Sequence, residues 1–166
     1  MKRILLVAVC ASLVAANSPA GAQSQLIVTH RIPAALALEA VGQAVAACAQ
    51  RGFFETAVLV DADGVRQALL RGDGSGPHSL DSAFSKAYTS ATMRTNTEAV
   101  VERAKTDPVV INILSKMPNM LLDGGGVVIR IKGEVIGAIA ASGAPDGKVD
   151  EACAQAGLDR IMDRLQ

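Results

Sequence analysis

Tryptophan is absent from this chain of 166 residues, tyrosine occurs once, phenylalanine three times and histidine twice. With aromatics at 2%, the core has to be built from Ala, Val, Leu and Ile. Small side chains of this kind fill space only where elements approach closely, and each gains little on burial. Such a chain has reason to bury further surface by homo-oligomerising. An excess of either charge is also missing, since sixteen bases face sixteen acids. A phosphate backbone wants a basic face, so a nucleic-acid partner is excluded. Nor is there a nucleophile elbow, a Walker loop, a dinucleotide fingerprint or a set of paired zinc ligands. No acid–base constellation with recognisable spacing stands out, which argues against catalytic turnover.

A long hydrophobic run is lacking too. Crossing a bilayer takes about 20 apolar residues, and Ile4–Ala16 falls short of that. It follows the cationic start Met1-Lys2-Arg3 and precedes Ser18-Pro19 and the small residues Ala20-Gly21-Ala22. This order predicts a secretory signal peptide over 1–22, cleaved before Gln23, and a single domain over 23–166. Cys10 lies inside the apolar run behind Val9, which is not the setting of a lipidated cysteine. The expected location is therefore periplasmic or secreted, with no stable membrane anchor after cleavage. Cleavage removes Lys2 and Arg3 and no acid, leaving fourteen bases against sixteen acids.

What is present reads as alternating elements. Pro33 opens a helix over 34–50, with Leu38, Val41, Val45 and Cys48 on one stripe. Thr56–Val60 and Val65–Leu70 read as strands about the turn Asp61-Ala62-Asp63-Gly64, which lacks the later ligands of a calcium loop. Arg71–Ser79 is a glycine-rich loop leading to a helix over 80–94, with Leu80, Phe84, Ala87, Tyr88 and Ala91 toward the core. Shorter helices follow over 98–105 and from Pro108 to Leu114, then a strand-like Met120–Leu122. Val127–Ile131 and Val135–Ala141 form a hairpin about Lys132-Gly133, and Pro145 ends it. Ala154, Leu158, Ile161, Met162 and Leu165 make a closing amphipathic helix. Strands and helices do not alternate regularly, so the expected class is α+β: an antiparallel sheet with the N- and C-terminal helices packed together on one face. After signal removal Cys48 and Cys153 are the only cysteines. Each sits on the apolar row of a terminal helix, among small residues that permit close approach. A disulfide between them is one outcome, and two buried free thiols the other.

The segment Gly124-Gly125-Gly126, Gly133-Glu134-Val135-Ile136-Gly137-Ala138-Ile139, Ser142-Gly143-Ala144 and Asp150-Glu151-Ala152-Cys153-Ala154-Gln155-Ala156-Gly157-Leu158-Asp159 resembles the HbpS/GlcG-like family, whose members are called haem-binding or haem-degrading proteins. Ser85-Lys86-Ala87-Tyr88-Thr89 and Asp61-Ala62-Asp63-Gly64 add to the likeness, which spans about residues 34–165. The resemblance implies a profilin-like fold and an association with haem or iron, and it points toward an oligomer. Members also occur beside glycolate and propanediol functions, so a small-carboxylate sensor or scaffold and a haem-degrading enzyme stand as alternatives to a haem- or iron-binding protein. His78, after Gly76-Pro77 and before a helix, is the candidate metal ligand, since imidazole commonly holds haem iron. Its plain alternative is an ordinary loop histidine. His30 reads as an exposed linker residue, Tyr88 as core and Met93 as filler. Lys86 and Arg94 could hold haem propionates or a small carboxylate, or could simply face solvent. Thr97 matches the family's Pro-Thr threonine, with Asn96 where the family has proline. Gly124 and Gly125 could form a wall against a ligand or mark a bend with close backbone approach.

If the signal reading is right, intact-mass measurement on protein secreted by its native host will give Gln23 as the first residue. Retention of Met1 would remove the argument for export.

Overall fold

The structure is a computed structural model that describes residues 26–165. The expected signal peptide lies outside the described residues. In chain order the elements are α1 (Ala34–Ala49), β1 (Thr56–Asp61), β2 (Arg66–Arg71), α2 (Ser79–Met93), α3 (Thr97–Thr106), α4 (Pro108–Leu114), β3 (Gly126–Ile131), β4 (Glu134–Ser142) and α5 (Gly147–Asp159), closed by a 3₁₀ turn at Met162–Arg164. The four strands form one antiparallel sheet in the order β2-β1-β4-β3.

The two central strands are buried on both faces, and the two-residue period of a strand sorts their side chains. Ala57, Leu59, Ile139 and Ala141 meet the buried sides of α1 and α5, whereas Val58, Val60, Ala138 and Ala140 meet Ala83, Ala87 and Ala91 of α2. The terminal helices thus share one face as the sequence predicts, and α2 covers the other. Two register shifts adjust this pattern. Between β3 and β4, Ile129 faces Gly137 while Arg130 faces Val135, so Ile136 is the extra residue. The bulge turns Ile136 into the same cluster as Ile139. Between β1 and β2 the extra residue is Gln67, whose amide donates to the carbonyl of Ile32 and so ties the N-terminal arm to the edge strand.

Cys48 of α1 and Cys153 of α5 form a disulfide with Cα atoms 5.5 Å apart. A crosslink across about 100 residues is worth up to ~4.7 kcal/mol through the unfolded chain's entropy. It sits in a seam closed on small residues. A Cβ on Gly157 would lie 2.5 Å from the Ala40 carbonyl and 3.0 Å from Ala44 Cβ.

Three local expectations are corrected. Leu38 is 62% exposed, because α1 turns Ala37, Ala40, Val41, Ala44 and Cys48 inward instead. The tight seam selects alanines over the larger side chain. On α2 the buried face is Ala83, Ala87 and Ala91 together with Lys86, Thr89 and Ser90, while Leu80, Phe84 and Tyr88 lie at its half-buried border. Met120–Leu122 forms no strand; the Leu121 N–H donates to the Thr89 hydroxyl (2.9 Å), so this backbone is satisfied by a side chain of α2.

Close approach of α5 to α1 makes a signed pair of substitutions. Gly157→Val should cost about 1–3 kcal/mol by overpacking, whereas Gly42→Ala, with nothing within 4 Å of its new Cβ, should stabilise α1 by up to about 1 kcal/mol. Denaturant unfolding of both variants checks the two signs.

Candidate functional site

At the end of the sheet where β3 begins and β4 finishes, α2 and α5 come within reach around the strand ends. Lys86 of α2, 1% exposed, places its Nζ 2.6 Å from Asp150 Oδ2 of α5 and 2.7 Å from Asp123 Oδ2. The other Asp150 oxygen accepts from the Ala144 N–H at 3.0 Å. Asp123 is half-exposed and Asp150 is buried. This pair can exist only because the backbone stands close to it. A Cβ on Gly125, which has φ +125°, would lie 2.8 Å from Asp150 Cβ and 3.0 Å from Lys86 Cδ. On Gly126 it would lie 2.5 Å from the Lys86 carbonyl, and on Gly124 it would strike Glu98 and the Gly147 backbone. Of the two readings of the glycines, close approach is the one seen: they wall in protein atoms.

Glu55, just before β1, extends the cluster. It is 1% exposed, its Oε1 lies 2.6 Å from Cys48 Sγ, and its Oε2 has no partner among the protein's fixed donors. Burial pushes the Glu55 carboxyl up to about 8, with the neighbouring Asp150 charge adding to the shift; the Lys86 and Arg51 cations oppose it. Burial also raises Asp150, but the Lys86 ammonium and the Ala144 N–H favour its ionised form. Of these two neighbouring carboxyls the proton belongs on Glu55, the one without a cation in contact.

Thr97 and Asn96 brace the same corner. The Thr97 hydroxyl, fully buried, accepts from the Gly126 N–H at 2.8 Å. Asn96 does not cap α3 with its side chain; it accepts from the Val128 N–H (3.1 Å) and donates to Glu151 (3.1 Å). The residue found in place of proline therefore pins α3 to β3 and α5.

Lys86, Thr97, Gly124 and Gly125 thus come together. His78 and Arg94 do not join them. They flank α2 at opposite ends, about 24 Å apart along the helix axis. His78 is exposed, and its ring lies back against Gly76. Arg94, at φ 56°, lines a cleft of about 630 Å³ with Ile27, Val28, Ala91, Glu134 and Val135. Its guanidinium makes no ion pair among the described residues, while its carbonyl accepts from Arg130. Beside this cleft lies His30, exposed and outside any element as the sequence predicts, in contact with the lining residue Glu134. His30 donates its backbone N–H to Glu134 Oε1 (3.1 Å) and places Nδ1 2.7 Å from Glu134 Oε2. The His30 hydrogen bond holds the Glu134 carboxyl below the usual range. With Nδ1 committed, Nε2 is the nitrogen left for a ligand. Its only sequence signal was the partner carboxylate 104 residues away, which spacing cannot reveal.

A four-stranded antiparallel sheet with paired terminal helices on one face and a third helix on the other defines a profilin-like α+β protein. The chain belongs to the HbpS-like family, described as haem degrading protein HbpS-like, which matches residues 32–159. A crystal structure of HbpS is 32% identical with a TM-score of 0.75, covering 81% of this chain and 93% of that one. A double mutant of HbpS from Streptomyces reticuli gives the same identity and TM-score over 90% of this chain and 97% of its own. The complex of PduOC with haem shares the fold at 22% identity and a TM-score of 0.72, over 80% and 96% of the two chains. No curated protein matches the chain.

The raised Glu55 carboxyl has a signed consequence. The folded chain holds a proton that the unfolded chain releases, so this contribution to stability is fully present below about 4.5 and is lost as the pH rises through about 8. Unfolding free energies of the wild type should decline across that window. In Glu55→Gln, which cannot ionise, the decline should be shallower, with only the raised Asp150 left to contribute.

Proposed function

We propose that this is an exported, homo-oligomeric protein that binds haem, or another small ligand bearing carboxylates, and holds it without turnover. The observation that carries the reading is the cleft of about 630 Å³ between the N-terminal arm and the end of α2, with the unpaired Arg94 inside and His30 at its rim. Its size suits a small-molecule site. Apolar Ile27, Val28 and Val135 would meet a ring system, Arg94 would pair with a propionate or other carboxylate, and His30, oriented by Glu134, would offer Nε2 to iron. The residues present fit haem in kind. Binding is favoured over degradation because Glu55, Lys86 and Asp150, each at most 2% exposed, are absent from the lining of the cleft and cannot touch a substrate in it. The family description and the haem complex of PduOC support the ligand class. The disulfide is what an oxidising compartment allows, which supports export. The exposed Val109, Ile113 and Met117 around α4 support self-association. A second placement of the iron is at His78, whose imidazole is exposed and whose ring makes no ion pair among the described residues.

Haemin titration tests the reading. A saturable Soret band is expected, unchanged after reductant and oxygen. His30→Ala should shift its maximum, Arg94→Ala should weaken binding by about 5–30-fold, and His78→Ala should do neither. A shift with His78→Ala alone moves the iron to the loop, decay to biliverdin restores the enzyme, and no band leaves a small-carboxylate sensor or scaffold.

A further inference from the structure

The unpartnered oxygen of Glu55 and the contact of its other oxygen with a disulfide sulfur ask for a chemical role that ligand binding does not supply. A disulfide sulfur carries no proton, so an ionised carboxylate 2.6 Å from Cys48 Sγ would set lone pairs against lone pairs. A carboxylic acid in the same place faces that sulfur as a proton donor. The other sulfur has a different neighbour: Arg51 Nη1 lies 3.9 Å from Cys153 Sγ, and Arg51 is exposed. The two sulfurs are therefore unlike: both cysteines are buried, but one lies beside a proton donor and the other beside the side chain of the exposed Arg51.

From this asymmetry we infer that Cys48 and Cys153 are a dithiol–disulfide couple in which Glu55 is the proton donor to Cys48. Cys153 is 1% exposed, so displacement of the Arg51 side chain is what opens its Sγ to attack by a thiolate of a small dithiol reductant. The S–S bond breaks, and its electron pair leaves on Cys48 Sγ, which takes the Glu55 proton as it departs. The reductant's second thiolate then attacks its own sulfur in the mixed disulfide and releases Cys153 as a thiolate beside Arg51, where water protonates it. Two electrons pass from the reductant, which leaves as a cyclic disulfide, and Glu55 recovers its proton from solvent. Protonating the leaving sulfur matters because thiol–disulfide exchange speeds up as the departing thiolate is stabilised.

The groups facing Glu55 fit this assignment from every side. Asp150 of α5 supplies the negative charge that keeps the proton on Glu55. Lys86 of α2 and Arg51 after α1 supply the positive charge that stabilises the carboxylate once the proton has moved. Lys86 also reaches the half-exposed Asp123, which gives the cluster its edge toward solvent. A purely structural disulfide has no use for a buried acid at its sulfur.

The test is the rate of reduction of the folded protein by dithiothreitol, divided by the reductant's thiolate concentration and followed from about pH 6 to about pH 9.5. For the wild type this normalised rate should fall as Glu55 ionises near 8. In Glu55→Gln it should be at least ~10-fold slower at neutral pH and flat. The wild-type profile decides the matter even if that variant fails to fold. A flat profile, or one rising with pH because ionised Glu55 loosens the seam, overturns the proposal, as does a Glu55→Gln profile equal to wild type. None of these outcomes depends on haem, so the cleft and the couple stand or fall separately.

Discussion

The buried ammonium of Lys86 is the constraint on which the rest of this molecule turns. Its helix lies on one face of the sheet and its main partner, Asp150, belongs to a helix on the other. The ion pair therefore joins the two layers at that end of the sheet. Desolvating both charges is costly, and an orphaned partner would cost about 3–5 kcal/mol. The remaining valences have to be met, and they are: Asp123 takes a second Lys86 hydrogen, and the Ala144 N–H takes the second Asp150 oxygen. A glycine run is the geometric condition for all of it. Any side chain at Gly125 or Gly126 would occupy the volume that Lys86 and Asp150 fill.

The absence of large aromatics sets the second constraint. A core of alanines and branched aliphatics is dense only when helix axes come close, and the seam between α1 and α5 closes on Ala40, Ala44 and Gly157. Close axes bring Cys48 and Cys153 to bridging distance as a consequence. The disulfide then supplies stabilisation that small side chains do not. Because the bridge lies beside Glu55, and Glu55 beside Asp150, the seam and the ion pair form one connected polar core.

The fold was largely legible because its elements obey simple periods. The Val127–Ile131 and Val135–Ala141 runs with Lys132-Gly133 between them could hardly be other than a hairpin, and the terminal helices carry apolar rows that need a shared face. What failed was the choice of which apolar residue counts. Leu38 outranks Ala37 on any hydropathy scale, yet the seam admits only the smaller one. Met120–Leu122 has strand composition but no strand beside it. The site was legible as residue types and not as geometry. Lys86 and Arg94 share an approximate stripe in sequence, but one turns into the molecule and the other opens onto a cleft. Glu55 carried no signal at all, since its environment is assembled from α1, α2 and α5. The contact of His30 with Glu134 carried no signal either, because that carboxylate lies at the start of β4.

The separation of the sealed cluster from the cleft bears on what this protein can do with a ligand. Acid–base chemistry needs its groups within hydrogen-bond reach of the reacting atom, and the groups with raised carboxyl pKa lie at the strand ends behind Gly124–Gly126. The cleft sits elsewhere, between the arm and the C-terminal end of α2, and is lined by Arg94, Asp63 and Glu134, the last hydrogen-bonded to His30. A guanidinium in such a lining suits an anion, and an imidazole oriented by a carboxylate suits a metal or a proton transfer. Communication between the two regions would have to run through α2, which carries Lys86 near its middle and ends at Arg94. A change of charge at Glu55 alters the field on Lys86, two helical turns before Arg94. The helix is thus the element that spans the two regions.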